Sequence, residues 1–130
     1  MARPASKHPT ELELEILKVL WQRGPLPVKE VREALAAFRD LAYTSVITVM
    51  NIMVDKGYLS RRKEGASFVY RPLASQRNTR RRMLGDVVNR LFNGSAAAAM
   101  VNLLESADLD EGEIERIRRL LNGKAGGSRP

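Results

Sequence analysis

Thr44-Ser45-Val46-Ile47-Thr48-Val49-Met50-Asn51-Ile52-Met53-Val54-Asp55-Lys56, closed by Gly57, is the stretch on which the fold turns. At about 100° per residue, Val46, Val49, Met50, Met53 and Val54 fall on one side of a helix. Thr44, Thr48, Asn51 and Asp55 form a narrow polar stripe on the other, with Ser45 beside it. A helix over residues 44–56 is expected, ended by the glycine. It packs one face on a core and turns small hydrogen-bonding side chains outward. Any exposed amphipathic helix has such a face, so its neighbours decide the meaning.

After it come two short extended runs, residues 59–63 and 67–71, joined by Glu64-Gly65-Ala66. Phe68 and Tyr70 alternate with Ser67, Val69 and Arg71, the pattern of a half-buried strand. Gly65 supplies the positive φ of a tight hairpin turn, and Pro72 is expected to end the pairing. Before the central helix, Thr10-Glu11-Leu12-Glu13 has the form of a capping box. A helix should run from there to about Arg23, with Leu12, Ile16, Val19 and Leu20 on one face and Leu17 and Trp21 widening it. Gly24-Pro25 ends it. Pro27 suits the start of a second helix over residues 28–38, with Val31, Leu35 and Phe38 as its stripe, and residues 39–42 connect to the third. Three helices followed by a hairpin predict a mainly α fold with a small β-hairpin. That is a winged helix-turn-helix, in which the third helix enters the major groove of DNA.

Downstream, Ser75 caps a fourth helix over residues 76–93, with Met83, Leu84, Val87, Val88, Leu91 and Phe92 as a broad apolar stripe. Ser95 starts an alanine-rich fifth helix to about Ala107 that carries Leu103 and Leu104. Residues 110–113 repeat the capping-box logic for a sixth, where Ile114, Ile117, Leu120 and Leu121 recur at helical spacing. The predicted organisation is a flexible lead-in over 1–9, a winged-helix domain over 10–73, a helical dimerisation domain over 75–122 and a disordered tail over 123–130. A helical segment of about 48 residues is too short to bury such wide stripes alone. Packing against an identical copy solves the problem and predicts a homodimer through these twelve apolar residues; folding back onto the N-terminal domain is the alternative.

Composition narrows the function. Hydrophobic content of 44% and charged content of 28% are ordinary for a globular chain. There is no long apolar run, no signal-like N-terminus and no cysteine, which together suggest a cytoplasmic protein without disulfides or thiolate metal sites. The net charge of +7 is local: Arg61, Arg62, Lys63, Arg71, Arg77, Arg80, Arg81 and Arg82 fall in one window with a single acid, Glu64. The other 14 basic residues are balanced by 14 acidic ones. A concentrated patch suits a polyanion, whose counterions are released on contact; a solubility patch is the plainer reading.

On this basis Thr44, Ser45, Thr48 and Asn51 are the candidates for base readout, asparagine being able to pair bidentately with adenine. Arg61, Arg62 and Lys63 are candidates for the DNA backbone or minor groove, with Arg61 and Lys63 sharing a strand face. Tyr43 is a further candidate for a phosphate. Arg77, Arg80, Arg81 and Arg82 either extend the footprint or solvate their helix, with Asp86 as a possible ion-pair partner. Trp21 reads as core, and an aromatic content of 5% offers little for base stacking. The one histidine, His8, lies in the lead-in. Zinc-ligand spacing, a serine triad and a phosphate-binding glycine loop are all missing, so an enzyme, a metal and a cofactor are not expected. Two other readings are a winged-helix regulator gated by a small ligand and a winged-helix module that docks an acidic protein.

The order Thr10-Glu11-Leu12-Glu13, Leu20-Trp21, Tyr43-Thr44-Ser45-Val46, Thr48-Val49, Asp55-Lys56-Gly57-Tyr58-Leu59, Lys63-Glu64-Gly65 and Phe68-Val69-Tyr70-Arg71-Pro72 resembles the penicillinase and methicillin-resistance repressor family. Copper-responsive repressors belong to the same family. The resemblance runs from about Thr10 to Asn122 and takes in Phe92-Asn93-Gly94-Ser95. It implies a homodimer on a two-fold symmetric operator in double-stranded DNA, with a C-terminal helical arm for dimerisation. It also implies release of DNA after the arm is cut by a membrane-bound, antibiotic-sensing zinc peptidase. The family's scissile pair aligns with Asn102-Leu103, leucine replacing phenylalanine. Without cysteine, the thiolate sensing of the copper branch is excluded. Ile52 stands where the family commonly has an arginine ahead of the Lys-Gly turn.

Overall fold

The computed structural model describes residues 8–127. Its elements are α1 (Glu11–Arg23), β1 (Leu26–Pro27), α2 (Val28–Leu35), α3 (Tyr43–Asp55), β2 (Leu59–Glu64), β3 (Ser67–Pro72), α4 (Gln76–Phe92), α5 (Ala96–Ser106) and α6 (Glu111–Gly127). The strands form one antiparallel sheet in the order β1-β3-β2. The chain divides into two compact units whose boundary falls between Asp86 and Val87, inside α4 rather than at the residue 73–75 junction expected from the sequence.

In the first unit the apolar stripes meet. Ile16, Leu17 and Leu20 of α1, Val28, Val31 and Leu35 of α2, Val46, Met50 and Met53 of α3, and Leu59 and Tyr70 of the sheet make one buried cluster. Each such side chain stabilises the fold by about 1.5–3 kcal/mol relative to exposure. The capping box forms as expected: Thr10 Oγ1 accepts from Glu13 N at 3.2 Å, and Glu13 Oε1 accepts from Thr10 N at 2.9 Å. Glu13 is only 3% exposed, and its other oxygen accepts from Lys56 Nζ at 2.9 Å. That pairing ties the start of α1 to the end of α3. Trp21 borders the core, its Nε1 donating to the Ala74 carbonyl at 2.9 Å.

Several boundaries differ from expectation. Helix α2 ends at Leu35; residues 36–38 turn, and Phe38 is left exposed under the Arg39 guanidinium. Pro27 precedes α2 as expected but also belongs to an unforeseen edge strand, with Leu26 opposite Tyr70 and Pro27 opposite Val69. An edge position tolerates a residue with no N–H. Pro72 ends β3 as expected, although it is itself the last paired residue, opposite Leu59; at the other end Glu64 pairs with Ser67. Helix α3 starts one residue early, at Tyr43. Helix α6 continues to Gly127 where a disordered tail was expected from residue 123. His8 is not free of the fold either: its Nε2 stands 3.5 Å from Asp86 Oδ2. Residues 1–7 of the lead-in and 128–130 of the tail lie outside the described residues.

The second unit is unlike the first. Among its described residues Ala99 is the only buried hydrophobic one. Ser95 caps α5 through Ala98 N, and Asp110 and Glu113 form a reciprocal cap for α6. Among the described residues no helix is long and apolar enough to cross a membrane.

Candidate nucleic-acid interface

The outward face of α3 carries Thr44, Ser45 and Thr48, all exposed. The Thr48 hydroxyl donates to the Thr44 carbonyl at 2.8 Å. Its proton is thereby engaged, and what remains outward is an acceptor oxygen and a methyl group. A methyl of this kind suits contact with thymine, and the oxygen can accept from an exocyclic amine. Ile52 is also exposed on α3, an apolar side chain at the position noted above.

Asn51 behaves differently. It is half-buried, and its Oδ1 accepts from both Tyr70 Oη at 2.8 Å and Arg61 Nη1 at 2.5 Å. Bidentate pairing with adenine needs that oxygen and the amide nitrogen together. In this arrangement the oxygen is taken, which departs from the expected role of Asn51.

Strand alternation sorts the wing into two faces. Register puts Arg61 opposite Tyr70 and Lys63 opposite Phe68, so Arg61 and Lys63 share the face that also bears Leu59. The Arg61 guanidinium lies over the Phe68 ring, 4.7 Å from its centroid. Arg62 lies on the opposite face, opposite Val69, and pairs with Glu64 at 3.0 Å. There it borders a hollow with Ser60, Val69 and Arg71, and Arg71 Nε donates to Ser60 Oγ at 3.3 Å. By alternation Arg61 and Lys63 share one strand face and Arg62 the other, although Arg61 also borders the hollow. Arg77, Arg80, Arg81 and Arg82 are exposed on α4, a separate element.

Between the starts of α2 and α3 and the tip of the wing lies a cleft of about 210 Å³, lined by Lys29, Tyr43, Ile47, Ser67 and Phe68 among others. Tyr43 is 46% exposed at its edge. Side chains cap α1, α4, α5 and α6, whereas α2 and α3 begin at Pro27 and Ala42 without a side-chain cap. First-turn N–H groups that no side chain caps are suited to an anion. Lys29 and Phe68 were not singled out from the sequence. A lysine in the first turn of an expected helix was the available signal for the former; for the latter, alternation with Tyr70 suggested burial, yet Phe68 is 41% exposed.

Of the residues expected at a dimer interface, Leu84, Val87, Leu91, Leu103, Leu104, Ile114, Leu120 and Leu121 are exposed, Leu91 at 72%. Met83, Val88, Phe92 and Ile117 are intermediate. The Asn102-Leu103 bond lies within α5, and the Asn102 carbonyl accepts from Ser106 Oγ at 2.8 Å. Among the described residues no cluster of three or more His, Cys, Asp or Glu has the arrangement to hold a metal ion.

The sequence profile described as Penicillinase repressor matches residues 9–123. The Transcriptional regulator BlaI of Mycobacterium tuberculosis is 33% identical over 123 residues, covering 92% of this chain and 88% of that protein. The Penicillinase repressor of Bacillus licheniformis is 28% identical over 112 residues, covering 86% and 88%. The Methicillin resistance regulatory protein MecI of Mammaliicoccus sciuri is 24% identical over the same length, covering 86% and 91%. By name these are repressors and regulators rather than enzymes. Among solved structures, the solution structure of the DNA-binding domain of the repressor BlaI aligns with 55% of this chain and 90% of that one, at 30% identity and a TM-score of 0.48. The B. licheniformis BlaI monomer in complex with the blaP half-operator aligns with 58% and 90%, at 28% identity and a TM-score of 0.47. The profile's span, together with a relative one-third identical across nearly the whole length, leaves one assignment: the chain belongs to the penicillinase repressor family.

Proposed function

We propose that this protein is a sequence-specific transcriptional repressor that binds duplex DNA as a homodimer on a two-fold operator. The observation that carries the reading is the bond from Arg61 of the wing to Asn51 on the polar stripe of α3, which joins the basic and polar elements within the first unit. Exposed Thr44, Ser45 and Thr48 share the unit with a basic wing, and a cleft joins two helix starts that no side chain caps to the wing tip. Helix α3 enters the major groove, the hydroxyl-bearing residues meet base edges, and Arg61, Lys63, Lys29 and Tyr43 meet phosphates. A second copy covers the apolar side chains of α4, α5 and α6, and its wing reaches the second half-site.

Derepression follows cutting of the arm at Asn102-Leu103 by a membrane-bound sensor zinc peptidase. Exposure of both residues supports this, but an extended conformation is needed in a protease cleft, so α5 must unwind locally first. The DNA reading is tested by selecting bound sequences from random duplex and titrating salt. A two-fold symmetric consensus is expected. With six to ten phosphate contacts per dimer, affinity should fall on the order of 10³- to 10⁵-fold between about 50 and 200 mM salt. Equal binding of the selected and scrambled duplexes would sink the reading.

A further inference from the structure

Asn51 sits on the polar stripe of α3, where a base-reading residue is expected, yet its carbonyl oxygen is committed inward. An amide oxygen has two lone pairs. One receives the Tyr70 hydroxyl and the other the Arg61 guanidinium. Tyr70 is 1% exposed and lies on β3, and Arg61 lies on β2, so one acceptor on α3 holds both strands of the wing. A buried hydroxyl without its acceptor is costly, which keeps Asn51 from swinging out to a base. Arg61 is confined on a second side by the Phe68 ring at 4.7 Å. A guanidinium held this way gives up less rotamer freedom when it meets a phosphate than a free one does.

We infer that Asn51 is a positioning residue: its carbonyl locks the wing to the reading helix and aims Arg61, and base discrimination rests with Thr44, Ser45 and Thr48. This rests on the reading of α3 as the helix that enters the groove. The two roles for Asn51 make opposite demands on the side chain. Positioning needs only an acceptor, which an aspartate also supplies. Reading adenine needs an acceptor and a donor, and a carboxylate there turns preference toward cytosine.

The test is to select sequences from random duplex with the wild-type dimer, Asn51→Asp and Asn51→Leu, and to measure the salt slope of each on the wild-type consensus. For Asn51→Asp we expect the wild-type consensus at every position. For Asn51→Leu, affinity for consensus and scrambled duplex should fall by a similar factor, about three- to tenfold. Its salt slope should drop by about one per half-site as Arg61 loses its aim. An Asn51→Asp consensus that loses or exchanges one base pair overturns the inference, as does an Asn51→Leu slope equal to wild type. A wild-type protein with no consensus would instead overturn the groove-reading proposal, and this inference with it.

Discussion

The two units of this chain are built from similar helices and treat their apolar side chains in opposite ways. In the first, eleven hydrophobic residues close over one another with almost no exposure, drawn from α1, α2, α3 and the sheet. In the second, leucines recur at helical spacing and stay open, and among the described residues Ala99 alone is a buried hydrophobic. The first has a three-stranded sheet to close a core with its helices; the second has helices alone, with apolar stripes that stay largely exposed. Amphipathic spacing forms a helix in both, but it does not say against what the helix will be buried. Exposed apolar side chains in such number on a small unit are what the proposed second copy would cover.

The contrast can be broken most forcefully in the second unit. Leu91→Asp places a carboxylate among exposed apolar residues, so folding of the single chain should survive while assembly does not. Sedimentation should give monomers, and operator affinity should fall by about 10²-fold or more, because the second half-site no longer binds at high effective concentration. An unchanged dimer would move the interface elsewhere. In the first unit, Leu20→Ala should cost about 2–5 kcal/mol of unfolding free energy, because the enclosed site cannot collapse fully around the lost atoms. Denaturant melts should show that loss at every protein concentration, whereas melts of the wild-type second unit should shift with concentration. Smallest are the helix caps: Thr10→Ala and Ser95→Ala should each cost about 1 kcal/mol. Hydrogen exchange should assign the first to α1 alone and the second to α5 alone; protection lost in both units from either change would mean that they melt together.

Much of this was legible in the residues, for local reasons. Capping boxes at Thr10 and Asp110 depend on side chains three positions apart, and both formed. The buried side of α3 depends on helical period, and Val46, Met50 and Met53 are buried as that period requires. What escaped was decided at long range. The partners of Asn51 lie ten and nineteen residues away, and its place on the polar stripe gave no hint that a strand tyrosine would claim it. Pairing of Leu26 with Tyr70 was likewise invisible from a two-residue run that also begins a helix. Helix α2 stops at Leu35 although the apolar period continues to Phe38, because once Leu35 is buried the following turn leaves the core.

Trp21 is the one tryptophan in the sequence, and its indole N–H is bonded to the backbone of Ala74, two residues before α4 begins. Intrinsic fluorescence of this protein is therefore an optical reporter with a single address. Its emission will shift when the winged domain loosens or when the joint into α4 pulls away from α1, both events of the first unit. Far-ultraviolet circular dichroism, to which α5 and α6 contribute fully, supplies the complementary signal. Comparing the two signals in one cuvette, without attaching a label, tells whether the first unit melts with the rest of the chain or apart from it.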